Sequence, residues 1–354
     1  MRLYFFSLGY RIIRKMSIIV YSIWCFIVGR TYDLEDVSDF GNHQMAKLDS
    51  FPFGLFYTFS IPRGLQTSFF GHNFKSPLIA ASFQSDKKAL LRWLKFGLGG
   101  ITFKTIMADS RVGNERPRLS EVIIAGNRSI INAMGLPGEG VGPFVDSIIN
   151  EDVWQMDIPF GLSMGGTNKE EYINVFNAMN QNLSSKFPHL FYEVNISCPN
   201  TEDGKTLSEN PDELLFVLSE MRKECRNPII VKVSPDQDNN SLLEIVETIK
   251  PISGIGINAG NTSYMNRKDV GLKEHMFKPI GGGVSGLPLF LRMLNMIKLF
   301  KPFNIPIIAT GGIDSGQKAM AALNEGATLI GMASALIVDP YCIPRINQYL
   351  ASHK

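Results

Sequence analysis

The chain is organised around the stretch YEVNISCPNT, residues 192–201. It begins as an apolar strand and ends in a polar loop, with two asparagines and a cysteine inside six residues. A strand holds such a loop in a fixed place, and a proton-transferring side chain that lies between two amide side chains suits a small, planar, polar ligand. For Cys198 alone two interpretations are open, a small buried apolar residue or a reactive thiol.

Short apolar runs alternate with longer amphipathic runs on both sides of this stretch. The candidate strands are residues 78–82, 100–105, 130–134, 160–164, 191–196, 229–233, 254–258, 305–310 and 328–332. The candidate helices are residues 86–95, 169–182, 211–225, 241–249, 287–300 and 315–325. This alternation predicts an α/β fold with a parallel sheet, and eight units predict a closed (β/α)8 TIM barrel. With nine candidate strands, one is an excursion, and we expect it to be 130–134.

The composition limits the class of protein. Apolar residues make up 45% of the 354 residues and charged residues 19%, which allows a large core and argues against disorder. A net charge of +2 gives no reason to expect nucleic acid as a partner. The four cysteines are far apart and form no CxxC pair, so we expect no metal site and no disulfide framework, and the pattern favours a reducing compartment.

The first thirty residues are unusual. The apolar run at 16–29 is bounded by Lys15 and Arg30, and aromatic and basic residues precede it. A spanning helix needs about twenty apolar residues, so this run is short for that role. We favour contact between residues 1–30 and a membrane, through an interfacial helix pair or a short span. A helix packed on the protein's own core and a cleaved signal peptide are the alternatives.

The predicted domain organisation follows from these runs. Residues 1–32 form the apolar, membrane-associated segment, residues 33–69 form a linker and a cover for one barrel end, and residues 70–354 form the barrel. The predicted location is the cytoplasmic side of a membrane, with a soluble cytoplasmic protein as the alternative. The sequence is compatible with a homo-oligomer.

Two lysines lie inside otherwise apolar candidate strands near their carboxyl ends, where a barrel has its site. Lys104 and Lys232 each need an anionic or hydrogen-bonding partner, unless the side chain points outward and reaches water. The alternative is that both lysines face one anionic or electron-rich ligand at the barrel mouth.

Two glycine clusters late in the chain predict a phosphate site. GGGVSG at 281–286 precedes a helix, and TGGI at 310–313 follows a strand. Backbone amides of glycine loops bind anions, and barrels often place a phosphate near their last two strands. The sequence has no GxxxxGK[ST] and no GxGxxG in a dinucleotide-binding context, so neither a Walker-type site nor direct NAD binding is expected.

With these residues in place, the chain resembles the dihydroorotate dehydrogenase family from about residue 70 to about residue 350. The matching motifs are GNERPRL at 113–119, INAMGLP at 131–137, NISCPNT at 195–201, VKVSPD at 231–236, GGVSG at 282–286 and PIIATGGIDSG at 306–316. The resemblance implies FMN at the carboxyl end of the barrel. It also implies oxidation of (S)-dihydroorotate to orotate in pyrimidine synthesis.

The resemblance also implies roles for individual residues, with no metal ion. The implied flavin contacts are Ala81, Ser82, Lys104, Thr105, Asn195, Lys232, Gly282, Gly283, Gly311, Gly312, Ala333 and Ser334. The implied substrate contacts are Lys104, Asn132, Met134, Gly135, Leu136, Asn195, Asn200 and Asn258. Cys198 is the implied base. It would take the C5 proton from one face of the substrate while C6 gives a hydride to the flavin on the other face.

The sequence also departs from single branches of the family. Cys198 and the segment 134–137 resemble the soluble class 1 members, whereas the apolar N-terminus and the NTS at 261–263 resemble the quinone-linked class 2 members. The loop at 80–83 lacks a glycine that is common near Phe83, Ser163 stands where class 2 has asparagine, and Ala259 stands where a hydroxyl residue is common.

We predict quinone as the electron acceptor. The alternatives are fumarate, NAD through a partner subunit, a related flavin dehydrogenase acting on another dihydropyrimidine, and a non-catalytic flavin-binding module.

Overall fold

The computed structural model describes residues 2–47, 53–149, 157–197 and 206–353, and its centre is a closed barrel of eight parallel strands. The barrel strands are β3 (Leu78–Ala80), β4 (Gly100–Ile106), β7 (Phe160–Met164), β8 (Leu190–Asn195), β9 (Ile229–Val233), β10 (Ile255–Ala259), β13 (Ile307–Thr310) and β14 (Leu329–Met332). The last strand, β14, pairs with the first, β3, and so closes the barrel. The predicted TIM barrel is confirmed, and the run at 130–134 lies outside it, as expected.

Helices cover the outside of the barrel. They are α3 (Lys87–Phe96), α4 (Val141–Ile149), α5 (Lys169–Leu183), α6 (Pro211–Glu224), α7 (Asn239–Ile249), α8 (Phe290–Phe300), α9 (Gly316–Glu325), α10 (Ser334–Val338) and α11 (Cys342–Ser352). Their apolar faces and the outward side chains of the strands form one large core. The six predicted helices are present with small shifts at their ends, whereas α4, α10 and α11 were not predicted.

The barrel interior is apolar at its amino-terminal end. Inward side chains of five strands form a buried cluster with Phe69 and Phe74 of a hairpin, β1 (Thr67–Phe69) and β2 (His72–Phe74). Glycine makes room for this packing, because a Cβ at Gly161 would lie 2.3 Å from the Phe191 ring. The apolar filling leaves the carboxyl-terminal end as the part of the interior that carries polar groups.

A four-stranded antiparallel sheet is built at the carboxyl-terminal end. Its strands are β5 (Leu119–Ile124), β6 (Asn127–Asn132), β11 (Ser263–Asn266) and β12 (Gly281–Gly286), in the order β11-β12-β6-β5. Two strands come from the excursion after β4 and two from the excursion after β10. The first glycine cluster, predicted as a loop, is strand β12. Its neighbours require glycine, since a Cβ at Gly283 would lie 2.1 Å from Thr262 Oγ1.

The N-terminal residues form two helices, α1 (Arg2–Val28) and α2 (Leu34–Lys47). Polar contacts attach α1 to the rest of the protein: Ser7 Oγ donates to Asp339 Oδ2, just after α10, at 2.6 Å, and Arg14 forms an ion pair with Glu121 of β5. Among the helices of the described ranges, none has the length and apolarity needed to cross a membrane.

Residues 33–44, the first part of the segment 33–69 predicted as a linker and cover, are mostly part of helix α2. Acidic residues at its start pair with arginines of the excursion after β4. Arg116 Nε lies 2.6 Å from Asp33 Oδ2, and Arg118 Nε lies 2.9 Å from Glu35 Oε1. These tertiary ion pairs hold a segment that has no long apolar face of its own.

The contact between Gly161 and Phe191 gives a stability prediction. Gly161→Ala should lower the free energy of unfolding by about 1–3 kcal/mol, because the new methyl group overlaps a ring in a close-packed interior. Urea denaturation measures this change. Gly142→Ala, in helix α4 with no atom within 4 Å of the new Cβ, is the control and should be neutral or slightly stabilising, because alanine favours a helix. A Gly161→Ala protein as stable as the wild type would contradict close packing of Gly161 against the Phe191 ring.

Candidate active site at the carboxyl end of the barrel

Lys232 on β9 points into the barrel and lies in a buried polar network. Its Nζ donates to Ser82 Oγ at 3.0 Å and lies 3.9 Å from Glu193 Oε1. Ser82 Oγ in turn donates to Glu193 Oε1 at 2.5 Å, and Asn258 Nδ2 donates to Glu193 Oε2 at 2.8 Å. All four side chains are buried. The outward alternative for Lys232 is therefore wrong, and three predicted site residues meet at one carboxylate.

Sequence reasoning missed Glu193. Its carboxylate lies on the same face of β8 as Asn195, because alternate residues of a strand share a face. A signal was present, since an acidic residue in the apolar run LFYEVN needs a cationic or hydrogen-bonding partner, as the two lysines do.

Asn195 is the centre of a second network. Its Nδ2 donates to Thr105 Oγ1 at 3.1 Å, and Asn261 Nδ2 donates to its Oδ1 at 3.4 Å. Thr105 and Ser163 share a hydroxyl hydrogen bond of 3.0 Å. The pairing of β4 with β7 shifts register between Phe103 and Ile106. Such irregularities re-aim side chains next to active sites, and here Thr105 turns toward Asn195.

Lys104 lies at the same register shift, and its pKa is lowered. Its Nζ donates to the backbone oxygen of Pro137 at 3.1 Å. The pKa of Lys104 is lowered to about 8, mainly by burial and then by the nearby Arg118, while Glu35 acts in the opposite direction. Glu35 belongs to α2, so the N-terminal helices lie close enough to act on the charge of a site residue.

The segment 132–136 follows β6 in a constrained conformation. Asn132 Nδ2 donates to Gly283 O at 3.3 Å, which joins the segment to β12. Gly135 and Leu136 both have left-handed backbones, with φ of 69° and 52°. Met134 O accepts from Asn114 N at 3.1 Å. A left-handed non-glycine residue is uncommon and often marks a ligand-binding segment, which agrees with the predicted role of Met134, Gly135 and Leu136.

The two glycine clusters converge. A Cβ at Gly312 would lie 2.9 Å from Phe290 N, at the start of α8, and 3.0 Å from Gly286 O, at the end of β12. Gly312 thus packs against the end of the first cluster at Gly286, whereas Gly282 and Gly283 lie earlier on β12, against Asn132 and Thr262. Backbone in such contact leaves no space for side chains, and glycine segments of this kind are typical of phosphate sites.

The strand ends of β3 and β14 form the neighbouring part of the site. Ala81 N donates to Met332 O at 2.9 Å, so Ala81 and Ser82 lie beside the segment that continues into Ala333 and Ser334. The Thr310 hydroxyl is buried close to Gly331 and has no hydrogen-bond partner among the described residues; Asn258 Oδ1 is in the same condition. Buried polar atoms are rarely left without partners, so both atoms fit contacts with a polar ligand.

Two predicted site residues, Cys198 and Asn200, lie outside the described residues. The structure describes the chain up to Ser197, whose Oγ donates to Lys232 O at 3.4 Å. The loop therefore starts beside the lysine network.

A closed TIM barrel with buried cations, amides and glycine segments at its carboxyl end has the architecture of an enzyme of the (β/α)8 class. The family model described as Dihydroorotate dehydrogenase matches residues 64–353, and the chain belongs to that family. The family comprises oxidoreductases that act on CH–CH groups, and the chain is an enzyme of this class.

Known proteins resemble the chain over most of its length. The "Dihydroorotate dehydrogenase B (NAD(+)), catalytic subunit" of Methanocaldococcus jannaschii is 29% identical over 79% of this chain and 89% of its own length. The protein of the same description from Bacillus cereus (strain B4264) is 28% identical over 81% of this chain and 90% of its own. A crystal structure of the Eimeria tenella enzyme with ferulenol has a TM-score of 0.70 at 19% identity, over 88% of this chain and 90% of that one, and supports the fold alone.

The pKa of Lys104 gives a pH prediction. The ammonium form attracts anions, and it is lost as the pH rises through about 8. The affinity for orotate, the planar anion that the family implies, should therefore fall roughly tenfold per pH unit above that value. Titration calorimetry between pH 6.5 and 9.5 measures binding without turnover. Lys104→Arg keeps a charged group and should remove this dependence, so an identical fall in Lys104→Arg would show that another group is responsible.

Proposed function

We propose that the chain is a dihydroorotate dehydrogenase that oxidises (S)-dihydroorotate to orotate with FMN, in de novo pyrimidine (UMP) synthesis. The observation that carries this proposal is the convergence of two cations with amides and glycine segments at one end of a barrel of this family. Dihydroorotate combines a carboxylate with a ring of alternating N–H and C=O groups. Lysine and asparagine side chains are the groups that bind such a ligand.

The residues that would hold FMN fit the group. The backbone around Gly282, Gly283, Gly311 and Gly312 suits its phosphate, with Ala333 and Ser334 beside it. Ala81, Ser82, Thr105, Asn195 and Lys232 would contact its ring system. When bound, FMN supplies a two-electron acceptor for the hydride that leaves C6. The positive charge of Lys232 favours the added electron density, because a cation stabilises an anion nearby.

The substrate would lie between the cations and the amides. Lys104 attracts the carboxylate, and the left-handed segment 134–136 offers backbone groups to it. Asn132, Asn195 and Asn258 come from three different strands, so they fix the orientation of the ring. Asn200 would add a fourth amide. This arrangement reduces the motion of the substrate and so lowers the entropic part of the barrier.

Cys198 is the proposed base, on the strength of its place in the motif NISCPNT. It removes the C5 proton from the face opposite to the departing hydride. A thiolate is the form of cysteine that accepts a proton, and a general base at this position contributes about 10²–10⁴-fold to the rate.

The test is anaerobic mixing of the purified protein with dihydroorotate, followed by flavin absorbance. The wild-type flavin should bleach, and Cys198→Ser should bleach about 10²-fold more slowly with its pH optimum moved upward, because an alcohol is a weaker acid than a thiol. Cys225→Ala, which alters a cysteine at the end of α6 on the outer face of the barrel, is the control and should match the wild type. No bleaching of the wild-type flavin would overturn the proposed reaction. An unchanged rate in Cys198→Ser would remove Cys198 from its role.

For the electron acceptor we propose quinone at a membrane surface. The support is the orientation of α1, whose protein-facing side includes the polar groups of Ser7, Tyr10 and Arg14. Its exposed apolar side chains are Tyr4, Phe5, Leu8, Ile12, Ile13, Met16, Ile19, Val20, Ile23, Trp24, Phe26, Ile27 and Val28. A helix that turns its apolar side away from its own protein is typical of a membrane-surface helix.

The charges of α1 agree with this orientation. The helix has no acidic residue, and Arg11, Lys15 and the following Arg30 are basic. Cations beside exposed aromatic residues suit the headgroup region of an anionic membrane. The proposed location is accordingly the cytoplasmic side of a membrane.

A soluble acceptor is the second candidate. The relatives from Methanocaldococcus jannaschii and Bacillus cereus are both described as NAD(+) catalytic subunits. Cys198 agrees with the soluble class 1 branch of the family. In that case the apolar side of α1 would contact a partner subunit rather than lipid. Fumarate stays an alternative acceptor, and a homo-oligomer stays a prediction.

Vesicle binding tests the membrane proposal. The full-length protein should sediment with phosphatidylcholine and phosphatidylglycerol vesicles. The double variant Ile12→Asp/Ile19→Asp should reduce partitioning by more than about tenfold. It removes apolar area that would insert into the bilayer, and it adds negative charge next to anionic lipid. Val112→Asp, at an exposed apolar position outside α1, is the control. Parallel turnover with a short-chain quinone, fumarate and NAD identifies the acceptor. Failure of the wild type to sediment would contradict the membrane proposal.

A further inference from the structure

The carboxylate of Glu193 has an unusual environment. It is buried inside the barrel with 1% of its surface exposed, and its ion pair within the described part of the chain is with Lys232. A buried ion pair contributes little to stability compared with apolar side chains of the same volume. The amino-terminal half of the same interior is filled by such apolar side chains. Packing alone therefore does not account for a glutamate at this level of the barrel.

The hydrogen-bond directions around Glu193 determine the orientation of its partners. An ammonium group only donates, so Ser82 Oγ accepts from Lys232 and must give its own hydrogen to Glu193 Oε1. A carboxylate only accepts, so Asn258 must turn its Nδ2 toward Glu193 Oε2. The Asn258 amide is thereby held in one of its two orientations.

The amide oxygen of Asn258, Oδ1, is the atom that a ligand can meet. Asn258 Oδ1 is buried and has no hydrogen-bond partner among the residues that the structure describes. Because Glu193 holds Nδ2, the Oδ1 without a partner is an acceptor that Asn258 can offer to a ligand. A ring N–H of the substrate is the complementary donor.

The charge of Glu193 acts on the other half of the site. Its oxygen is 3.9 Å from Lys232 Nζ, and both groups are shielded from water. In such surroundings a unit charge acts strongly on its neighbours. The positive charge that Lys232 presents to a bound flavin is thus partly balanced from behind by Glu193.

We propose that Glu193 is a positioning residue that joins the two halves of the site: it moderates the charge of the flavin-side Lys232 and holds the substrate-side Asn258 as a hydrogen-bond acceptor. This inference rests on the proposed function. It assigns to a single buried carboxylate both the tuning of the flavin and the recognition of a substrate N–H.

Two substitutions separate these effects. Glu193→Gln removes the charge but keeps the shape, and its amide can still accept from Asn258 and donate to Ser82. Glu193→Leu removes both the charge and the acceptor, which leaves Asn258 free to turn. Glu325→Gln, which breaks a surface ion pair with Lys298 outside the barrel, is the matched control.

The measurements are the midpoint potential of bound FMN, the Kd of FMN from fluorescence, and the Kd of orotate from calorimetry. Glu193→Gln should raise the midpoint potential, since the reduced flavin loses a nearby negative charge, and should keep the orotate Kd within about threefold. Glu193→Leu should raise the potential as well and weaken orotate binding by about tenfold or more, the usual effect of losing one oriented hydrogen bond. The loss of substrate binding should appear mainly in KM, whereas the shift in potential acts on the rate of flavin reduction. The control should match the wild type in all three measurements.

The outcomes distinguish this inference from the proposed function. A wild-type protein that binds no FMN, or whose flavin dihydroorotate does not reduce, overturns the proposed function and this inference with it. A wild type that works, together with an unchanged potential in Glu193→Gln or unchanged orotate affinity in Glu193→Leu, overturns the inference alone. If Glu193→Leu does not fold, Glu193→Met, whose length is closer to that of glutamate, replaces it.

Discussion

The polar half of the barrel depends on the interaction between Lys232 and Glu193, with Ser82 between them. Two opposite charges inside a barrel are stable only as a pair, since removing either one leaves the other uncompensated in a place without water. Both strands next to β9 carry a site residue at the level of the pair, because Lys232 is in register with Asn195 on β8 and Asn258 on β10. One ion pair therefore links side chains of three adjacent strands, β8, β9 and β10, with Ser82, which follows β3 on the other side of the barrel.

The same barrel separates structural from chemical roles along its axis. The amino-terminal end is filled by aromatic and branched side chains, with Gly161 and Gly100 leaving room for rings. The carboxyl-terminal end carries the hydrogen-bonded polar groups and the antiparallel sheet of two excursions. Because each glycine in β12 faces a close neighbour, this sheet brings the first glycine cluster against Asn132 and, at its end, against Gly312. The antiparallel sheet thus positions both Asn132 and the first glycine cluster.

The N-terminal helices connect that site to the outer surface. Helix α2 presents Glu35 to Arg118, and both groups affect the pKa of Lys104. Helix α1 is attached through Ser7, Tyr10 and Arg14, so its polar contacts are inside and its apolar side chains are outside. Helices α1 and α2 therefore lie between the exposed apolar side chains of α1 and the site residue Lys104.

The sequence by itself determined the barrel and the excursion at 130–134, and it indicated most of the residues that are proposed for the site. Strand and helix periodicities are local, and Lys104, Lys232 and the glycine clusters stand out within a few residues of an apolar strand. The identity of the family rests on such short motifs too. The helix at 34–47, strand β12 and the role of Glu193 were not accessible in this way. Each of them depends on partners far along the chain: Arg116 for α2, Asn132 for β12, and Ser82 and Asn258 for Glu193. Only the closed barrel brings these residues together, and only their hydrogen-bond directions decide which end of Asn258 can meet a ligand.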